Sequence, residues 1–259
     1  MASMFVDRRK LRMSSVSRLL AGVLGVALVG IPAAQGATFV VFKLGSVASG
    51  GNAISGDEYT FWSNNGGFNE GNGVAASLSN NTLDYKDSFV DSALNWNTVT
   101  SVHVGMYLAG VEQASIDFSP STSKLTFYDP ANILGTTYTD LVASFPGGNF
   151  FSEPGDGTYN RRWFVNENYG GCGSDTGWFV VEDATSSKPC GWETSRQSAA
   201  GRGFLYSTGG VQQNWNTTNV GIADVFAVSV TTSVPEPASI GFVSAALAGL
   251  AVVLRRRRK

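Results

Sequence analysis

The sequence has little of the residues from which most enzyme centres are built. Among 259 residues there is one histidine, His103, and there are two cysteines, Cys172 and Cys190. A zinc site with several imidazole ligands is therefore excluded, and a Ser-His-Asp triad is possible only around His103. Because His103 lies between two valines in an apolar run, we predict a hydrogen-bonded or a sheet-surface histidine.

Basic residues are scarce in the middle of the chain. Between residues 37 and 233, 8 Lys or Arg stand against 18 Asp or Glu, a formal charge of −10. Most of the remaining charge is positive and lies near the two ends. Since the middle has no basic patch, we expect no nucleic acid among its partners.

The first 36 residues have the three parts of a secretory signal peptide. An apolar run of 13 residues spans positions 19–31, and the small residues Ala34 and Gly36 follow it. Signal peptidase is expected to cut after Gly36. The basic residues that precede the run are Arg8, Arg9, Lys10, Arg12 and Arg18.

A second hydrophobic segment lies near the other end. Residues 238–254 are 17 uncharged residues rich in Ala, Gly, Leu and Val, and as a helix they reach about 25 Å, a little short of a bilayer core. We predict a transmembrane helix, since long basic side chains follow it and extend to the interface. Positive charge at both ends places residues 37–233 outside the inner membrane. The basic stop comprises Arg255, Arg256, Arg257, Arg258 and Lys259.

Four residues before this helix carry a family resemblance. The motif Val234-Pro235-Glu236-Pro237, the hydrophobic helix and the Arg-rich end together resemble the PEP-CTERM sorting domain of Gram-negative bacteria, over residues 234–259. The resemblance implies that an exosortase recognises the tail and cuts at or near the motif, in bacteria that make exopolysaccharide or biofilm matrix. Two prolines keep the chain extended within reach of a membrane protease. A plain anchor that is never cut is the alternative.

Residues 37–233 are predicted to form one all-β domain. Short apolar or alternating runs, such as 59–62, 124–128 and 224–230, are separated by Gly, Asn, Ser and Pro. About ten short strands of this kind indicate an antiparallel β-sandwich or jelly roll. Residues 231–233 are predicted to be a polar spacer before the sorting signal.

The two cysteines are expected to be in an oxidising compartment. A disulfide between Cys172 and Cys190 is the simplest interpretation, and closing this loop stabilises a fold by roughly 3 kcal/mol in the chain-entropy model. Free or intermolecular thiols, or a metal or catalytic role, are the alternatives.

Tryptophans suggest a possible carbohydrate surface. Trp96 and Trp215 occur in Asn/Thr-rich stretches and are candidates for exposed rings that stack on sugars, whereas Trp163 and Trp178 occur in apolar runs and are predicted to be core.

Acidic residues give weaker candidates. Oxygen atoms of Glu153, Asp156 and Asn160 in one loop suit calcium, although a plain turn explains the same residues. The spacing of Asp84, Asp87 and Asp91 favours a solvated acidic face, and Glu182-Asp183 favours an exit turn after a strand.

The function predicted from these features is that of a non-enzymatic protein of the cell surface or extracellular matrix, exported, sorted by its tail and associated with exopolysaccharide. Two alternatives remain open. One is a secreted hydrolase that acts on polysaccharide through a pair of carboxylates, which the sequence does not identify. The other is a calcium-dependent adhesion module.

Overall fold

The computed structural model describes residues 36–141, 150–155, 159, 161–168, 171–184 and 188–233, and it shows two antiparallel sheets. The first sheet has the strand order β2-β1-β12-β3-β4-β5. The second has the order β11-β9-β8-β7-β6, with β10 beside β8. The all-β prediction is confirmed. The strands are β1 (Thr38–Gly45), β2 (Tyr85–Lys86), β3 (Val99–Leu108), β4 (Val111–Phe118), β5 (Ile133–Thr136), β6 (Phe150–Ser152), β7 (Arg161–Asn168), β8 (Thr176–Glu182), β9 (Gly203–Ser207), β10 (Gln213–Asn214), β11 (Val220–Ala223) and β12 (Val225–Thr232).

Short helices lie in the connections between strands. The α-helices are α1 (Glu58–Ser63), α2 (Ala93–Trp96) and α3 (Gly191–Thr194), and the 3₁₀ turns are Gly50–Asn52, Ser88–Asp91 and Pro130–Asn132.

Two predicted strands are wrong. Residues 59–62 belong to α1, because the Asp57 side chain caps the helix by accepting from the Thr60 N–H at 2.7 Å. Glu58 and Trp62, four residues apart, then share its buried face. Residues 124–128 form a turn that inserts Phe127 into the core.

The main core lies between the two sheets around the ring of Trp163. Phe226 and Phe42 of the first sheet lie 5.1 and 6.1 Å from it between ring centroids, and Trp62 lies 5.4 Å away. Trp163 and Trp178 are fully buried, so the prediction that both are core residues is confirmed.

Most cations of the domain are buried. Among the eight Lys and Arg residues between 37 and 233, all of which the structure describes, none is exposed, and only Lys188 and Arg196 are half-buried. The exposed charge of this part of the chain is therefore carried by carboxylates. The buried six are Lys43, Lys86, Lys124, Arg161, Arg162 and Arg202.

One buried ion pair joins the two sheets. Arg202, just before β9, binds Asp84, just before β2, through two hydrogen bonds of 2.9 and 3.0 Å, and it also donates to the Gly45 carbonyl at the end of β1. The same carboxylate accepts from the backbone N–H groups of Gly45 and Ile54. The prediction of a solvated acidic face is thus wrong for Asp84, because four N–H donors hold its carboxylate inside.

Two lysines fix the long connection between β1 and β3. The Lys43 ammonium donates to the carbonyl oxygens of Asn80 and Ser77, and the Lys86 ammonium donates to that of Phe61 at 3.1 Å. Desolvation by burial lowers the pKa of each lysine to about 8. The carbonyls therefore compensate two cations that are removed from water.

Replacing Asp84 with Asn is expected to lower the free energy of unfolding by about 3 kcal/mol, because the buried Arg202 guanidinium loses its charged partner. Urea denaturation of the purified protein measures the change. The matched control is Asp129→Asn, at an exposed carboxylate that caps the Ala131 N–H, a bond that Asn can retain. If both variants lose the same free energy of unfolding, the Arg202–Asp84 pair contributes no more to stability than an exposed carboxylate does.

Candidate functional site

The predicted disulfide is present. The Cys172 and Cys190 sulfurs are 2.06 Å apart, and the bond ties the exposed loop at 171–174 to the start of α3. Cys172 is exposed, whereas Cys190 is buried. The bridge therefore fastens a surface loop to a segment that packs against the second sheet.

The disulfide closes a second, smaller core on the outer face of that sheet. Phe164, Val180 and Leu205 point outward from the neighbouring strands β7, β8 and β9, and the stacked rings of Trp192 and Trp215, 5.6 Å apart, belong to the same cluster. Trp215 is fully buried and donates to the Asn166 side chain at 3.0 Å.

The prediction that Trp96 and Trp215 are exposed is wrong. Trp96 is 2% exposed, donates from its indole to the Ser121 carbonyl at 2.9 Å and lies 5.9 Å from the Phe127 ring. The polar residues beside each tryptophan satisfy turns and helix ends, as Ser92 does for α2, while the indole itself turns inward. We therefore assign neither ring to sugar binding.

A buried arginine organises the second core. Arg161 binds Glu193 at 2.7 Å and Asp175 at 3.3 Å, and its guanidinium lies 4.8 Å from the centroid of the Trp192 ring. The other Glu193 oxygen accepts from the Cys190 N–H at 2.7 Å, so the ion pair and the disulfide hold the same helix. Sequence reasoning missed this group, because its members are spread over 32 residues.

Glu182 is an unusual member of the same region. It is the last residue of β8 and fully buried, so the prediction of an exit turn is wrong. Neither carboxyl oxygen has a hydrogen-bond partner among the described residues. Desolvation by burial, with a contribution from the negative charge of Glu193, raises the pKa of Glu182 to about 8. The folded protein therefore holds Glu182 protonated at neutral pH.

The predicted calcium loop is described only in part. Asp156 and Asn160 lie outside the described residues. Glu153 is 4% exposed, and desolvation by burial raises its pKa to about 8, so at neutral pH it is a protonated side chain with little access to solvent. In the described part of the chain, no cluster of three or more His, Cys, Asp or Glu residues is arranged to hold a metal ion.

His103 lies on the outer face of the first sheet, as predicted. Its Nδ1 is 2.6 Å from Asp117 on β4, and its Nε2 is 2.8 Å from Glu112. The Tyr107 hydroxyl is 3.1 Å from the same Nε2. In a Ser-His-Asp triad a serine hydroxyl would lie beside Nε2. In this structure Glu112 and Tyr107 lie there instead.

The chain matches no protein-family model, no curated protein and no solved structure.

The two ends of the described domain meet where the neighbouring inner strands β1, β12 and β3 of the first sheet begin or end. We call this row of strand ends the terminal edge and define it as residues 36–38, 98–101 and 231–233. The Thr232 N–H donates to the Ala37 carbonyl at 3.0 Å, and the Ser233 N–H donates to the Thr98 carbonyl at 2.9 Å. The predicted spacer at 231–233 is therefore wrong, because β12 extends to Thr232 and its pairing continues through Ser233.

The opposite end of the first sheet carries apolar side chains. Leu108 and Val111 flank the tip of the β3–β4 hairpin and are exposed, and Ile222 of β11, in the second sheet, is exposed as well. Leu108 and Ile222 also line a pocket of about 240 Å³ together with Arg196 and Asp224. This volume is below the roughly 300–1,000 Å³ of most small-molecule sites.

Several predicted elements lie outside the described residues. These are the signal peptide at 1–36 except for its last residue, Gly36, the motif Val234-Pro235-Glu236-Pro237, the helix at 238–254 and the basic stop at 255–259. None of the helices in the described ranges is long and apolar enough to cross a membrane.

Two of the buried glutamic acids, Glu182 and Glu153, predict a dependence of stability on pH. In the unfolded chain Glu182 and Glu153 ionise near pH 4.5, whereas in the folded chain they keep their protons up to about pH 8. Their stabilising contribution is complete below about pH 4.5 and is lost as the pH rises through about 8. The free energy of unfolding should fall by a few kcal/mol, roughly, across this range.

Glu182→Gln and Glu153→Gln should each flatten this slope, and the double variant should flatten it most, since Gln does not titrate. Chemical denaturation at pH 5, 6.5 and 8 measures the effect. Glu70→Gln is the matched control, because a hydrogen bond from the Ser88 N–H lowers the pKa of the Glu70 carboxyl below this range. An unchanged slope in the double variant would mean that other groups cause it.

Proposed function

We propose that the chain is an exported protein of the cell surface or extracellular matrix, sorted through its C-terminal PEP signal and associated with exopolysaccharide, with a binding or structural rather than enzymatic role. The observation that carries the proposal is the disulfide between Cys172 and Cys190, closed over the second core.

Disulfides persist in oxidising compartments outside the cytosol. In this domain the bond secures α3, whose Trp192 packs on Trp215. In the chain-entropy model, closing the loop with this disulfide stabilises the folded state by roughly 3 kcal/mol. A domain that relies on such a bond is suited to the outside of the inner membrane. This is the same side that the charges at the two ends favour.

The terminal edge supports the same topology. Ala37 and Thr232 are hydrogen-bonded neighbours, so hydrophobic segments that precede residue 37 and follow residue 233 leave the domain from one place. Two such segments can stay in the same membrane while the domain between them folds outside it. If the two ends lay at opposite sides of the sandwich, long linkers would be needed for both hydrophobic segments to reach the same membrane.

The charge distribution limits the polysaccharide partner. With no exposed Lys or Arg between residues 37 and 233, the exterior is negative. Acidic polysaccharides are repelled by such a surface, and the partner that we propose is accordingly a neutral one.

The intact mass of the protein recovered outside the cell tests the proposal. We expect a species that lacks residues 1–36 and the basic stop, and that gains the mass of two hydrogens on reduction. A double Pro235→Ala, Pro237→Ala variant serves as the control and should keep its tail in the membrane fraction. A released species that still contains Arg255 to Lys259 would contradict sorting, and free thiols in it would contradict the role given to the disulfide.

A further inference from the structure

The last strand of the first sheet leaves no free residues between the fold and the proposed sorting motif. β12 lies between β1 and β3, so partners flank both of its edges. Thr231 is opposite Thr38 on one side and opposite Ser101 on the other. A strand in this position cannot leave the sheet without losing bonds on both sides.

The pairing continues to the residue that directly precedes the motif. Thr232 is 4% exposed and donates to Ala37, and Ser233 donates to Thr98 from its backbone N–H at 2.9 Å and from its hydroxyl at 3.3 Å. Across the strands, the hydroxyls of Thr38 and Thr231 are 2.8 Å apart. Residues 231–233 are thus held by backbone and side-chain bonds together.

Chain geometry leaves little room at this edge. A chain extends by at most about 3.6 Å per residue, which keeps Pro235 within about 7 Å and Pro237 within about 14 Å of Ser233. A protease binds its substrate as an extended segment that includes residues on both sides of the bond that is cut. For a cut within the motif, the residues on the N-terminal side include Ser233 and Thr232, which the sheet already holds.

We propose that the folded domain shields its own processing site, and that the membrane protease removes the tail only when the end of β12 separates from Ala37 and Thr98. This inference rests on the proposed sorting function. Local opening at the end of an element is the kind of motion that requires the least free energy in a folded protein. The stability of the terminal edge then sets the rate at which the tail is removed.

Removal of the signal peptide and removal of the tail both involve residues of the terminal edge. Cleavage after Gly36 would leave Ala37 as the first residue, and its carbonyl is the acceptor for Thr232. A signal peptide cut further along the chain would remove this acceptor and loosen the strand end. The position of the first cut therefore influences the rate of the second.

A spacer insertion in the full-length chain, expressed in its own bacterium, tests the proposal. About eight Gly and Ser residues placed between Ser233 and Val234 give the motif a reach of about 25 Å beyond the sheet. Pulse-chase labelling followed by intact-mass analysis measures how fast the tail is lost. We expect the rate to rise on the order of tenfold, because opening two backbone hydrogen bonds is no longer required.

The control carries the same insertion between Gly50 and Gly51, two exposed residues with nothing near an added side-chain atom, and it should be processed at the rate of the unmodified chain. Because the spacer follows the last paired residue, the domain still folds. An oxidised Cys172–Cys190 pair in both variants verifies this.

The outcomes separate the two proposals. Faster loss of the tail in the spacer variant alone supports shielding. Equal rates in all three chains overturn shielding while sorting stands. A tail that stays intact in every chain, the spacer variant included, overturns sorting and with it the inference.

Discussion

The pairing of Arg202 with Asp84 is the interaction on which the arrangement of the two sheets depends. The Arg202 guanidinium, carried by the residue before β9, binds the Gly45 carbonyl at the end of β1 and the Asp84 carboxylate before β2, so it joins three separate parts of the chain. Glu58 of α1 lies 3.1 Å from the same side chain. Hydrophobic packing is not directional, whereas a two-bond ion pair specifies one geometry. In this domain the aromatic core supplies driving force, and the buried charges specify how the parts meet.

Burial of the cations also determines the character of the surface. A domain with 8 basic residues could present several of them to solvent, but Lys43, Lys86 and Arg161 are each enclosed by carbonyls or carboxylates. What remains outside is predominantly negative. The formal charge of −10 between residues 37 and 233 therefore understates how uniform the exterior is. For a protein exported as proposed, such a surface would favour solubility and disfavour adhesion to anionic lipid.

Local patterns predicted the parts of the fold that depend on local information. Alternation identified β12, and the apolar run that contains Trp178 identified β8, since burial on a sheet face follows the period of two. The disulfide followed from the compartment and the even pair of cysteines. The burial of Trp96, Trp215 and Asp84 was missed. Asp84 and Arg202 are 118 residues apart, and no pattern in a short window reveals a partner at that distance. Polar neighbours made the two tryptophans resemble surface residues, although those neighbours serve turns.

The position of β12 relates the fold to the proposed route of export. On the proposed route this strand would be the last of the domain to leave the translocation channel. It belongs between β1 and β3, and its contact of Thr231 with Thr38 spans 193 residues. The first sheet can close only when the whole domain has been delivered, because its central position stays empty until then. Contacts of such long range form slowly, which would keep the chain open during the proposed transfer. A chain with β12 at an edge could have completed most of the sheet earlier, while part of it was still in the channel. The topology thus suits a domain that crosses the membrane unfolded and completes its first sheet only when its C-terminal segment has reached the membrane.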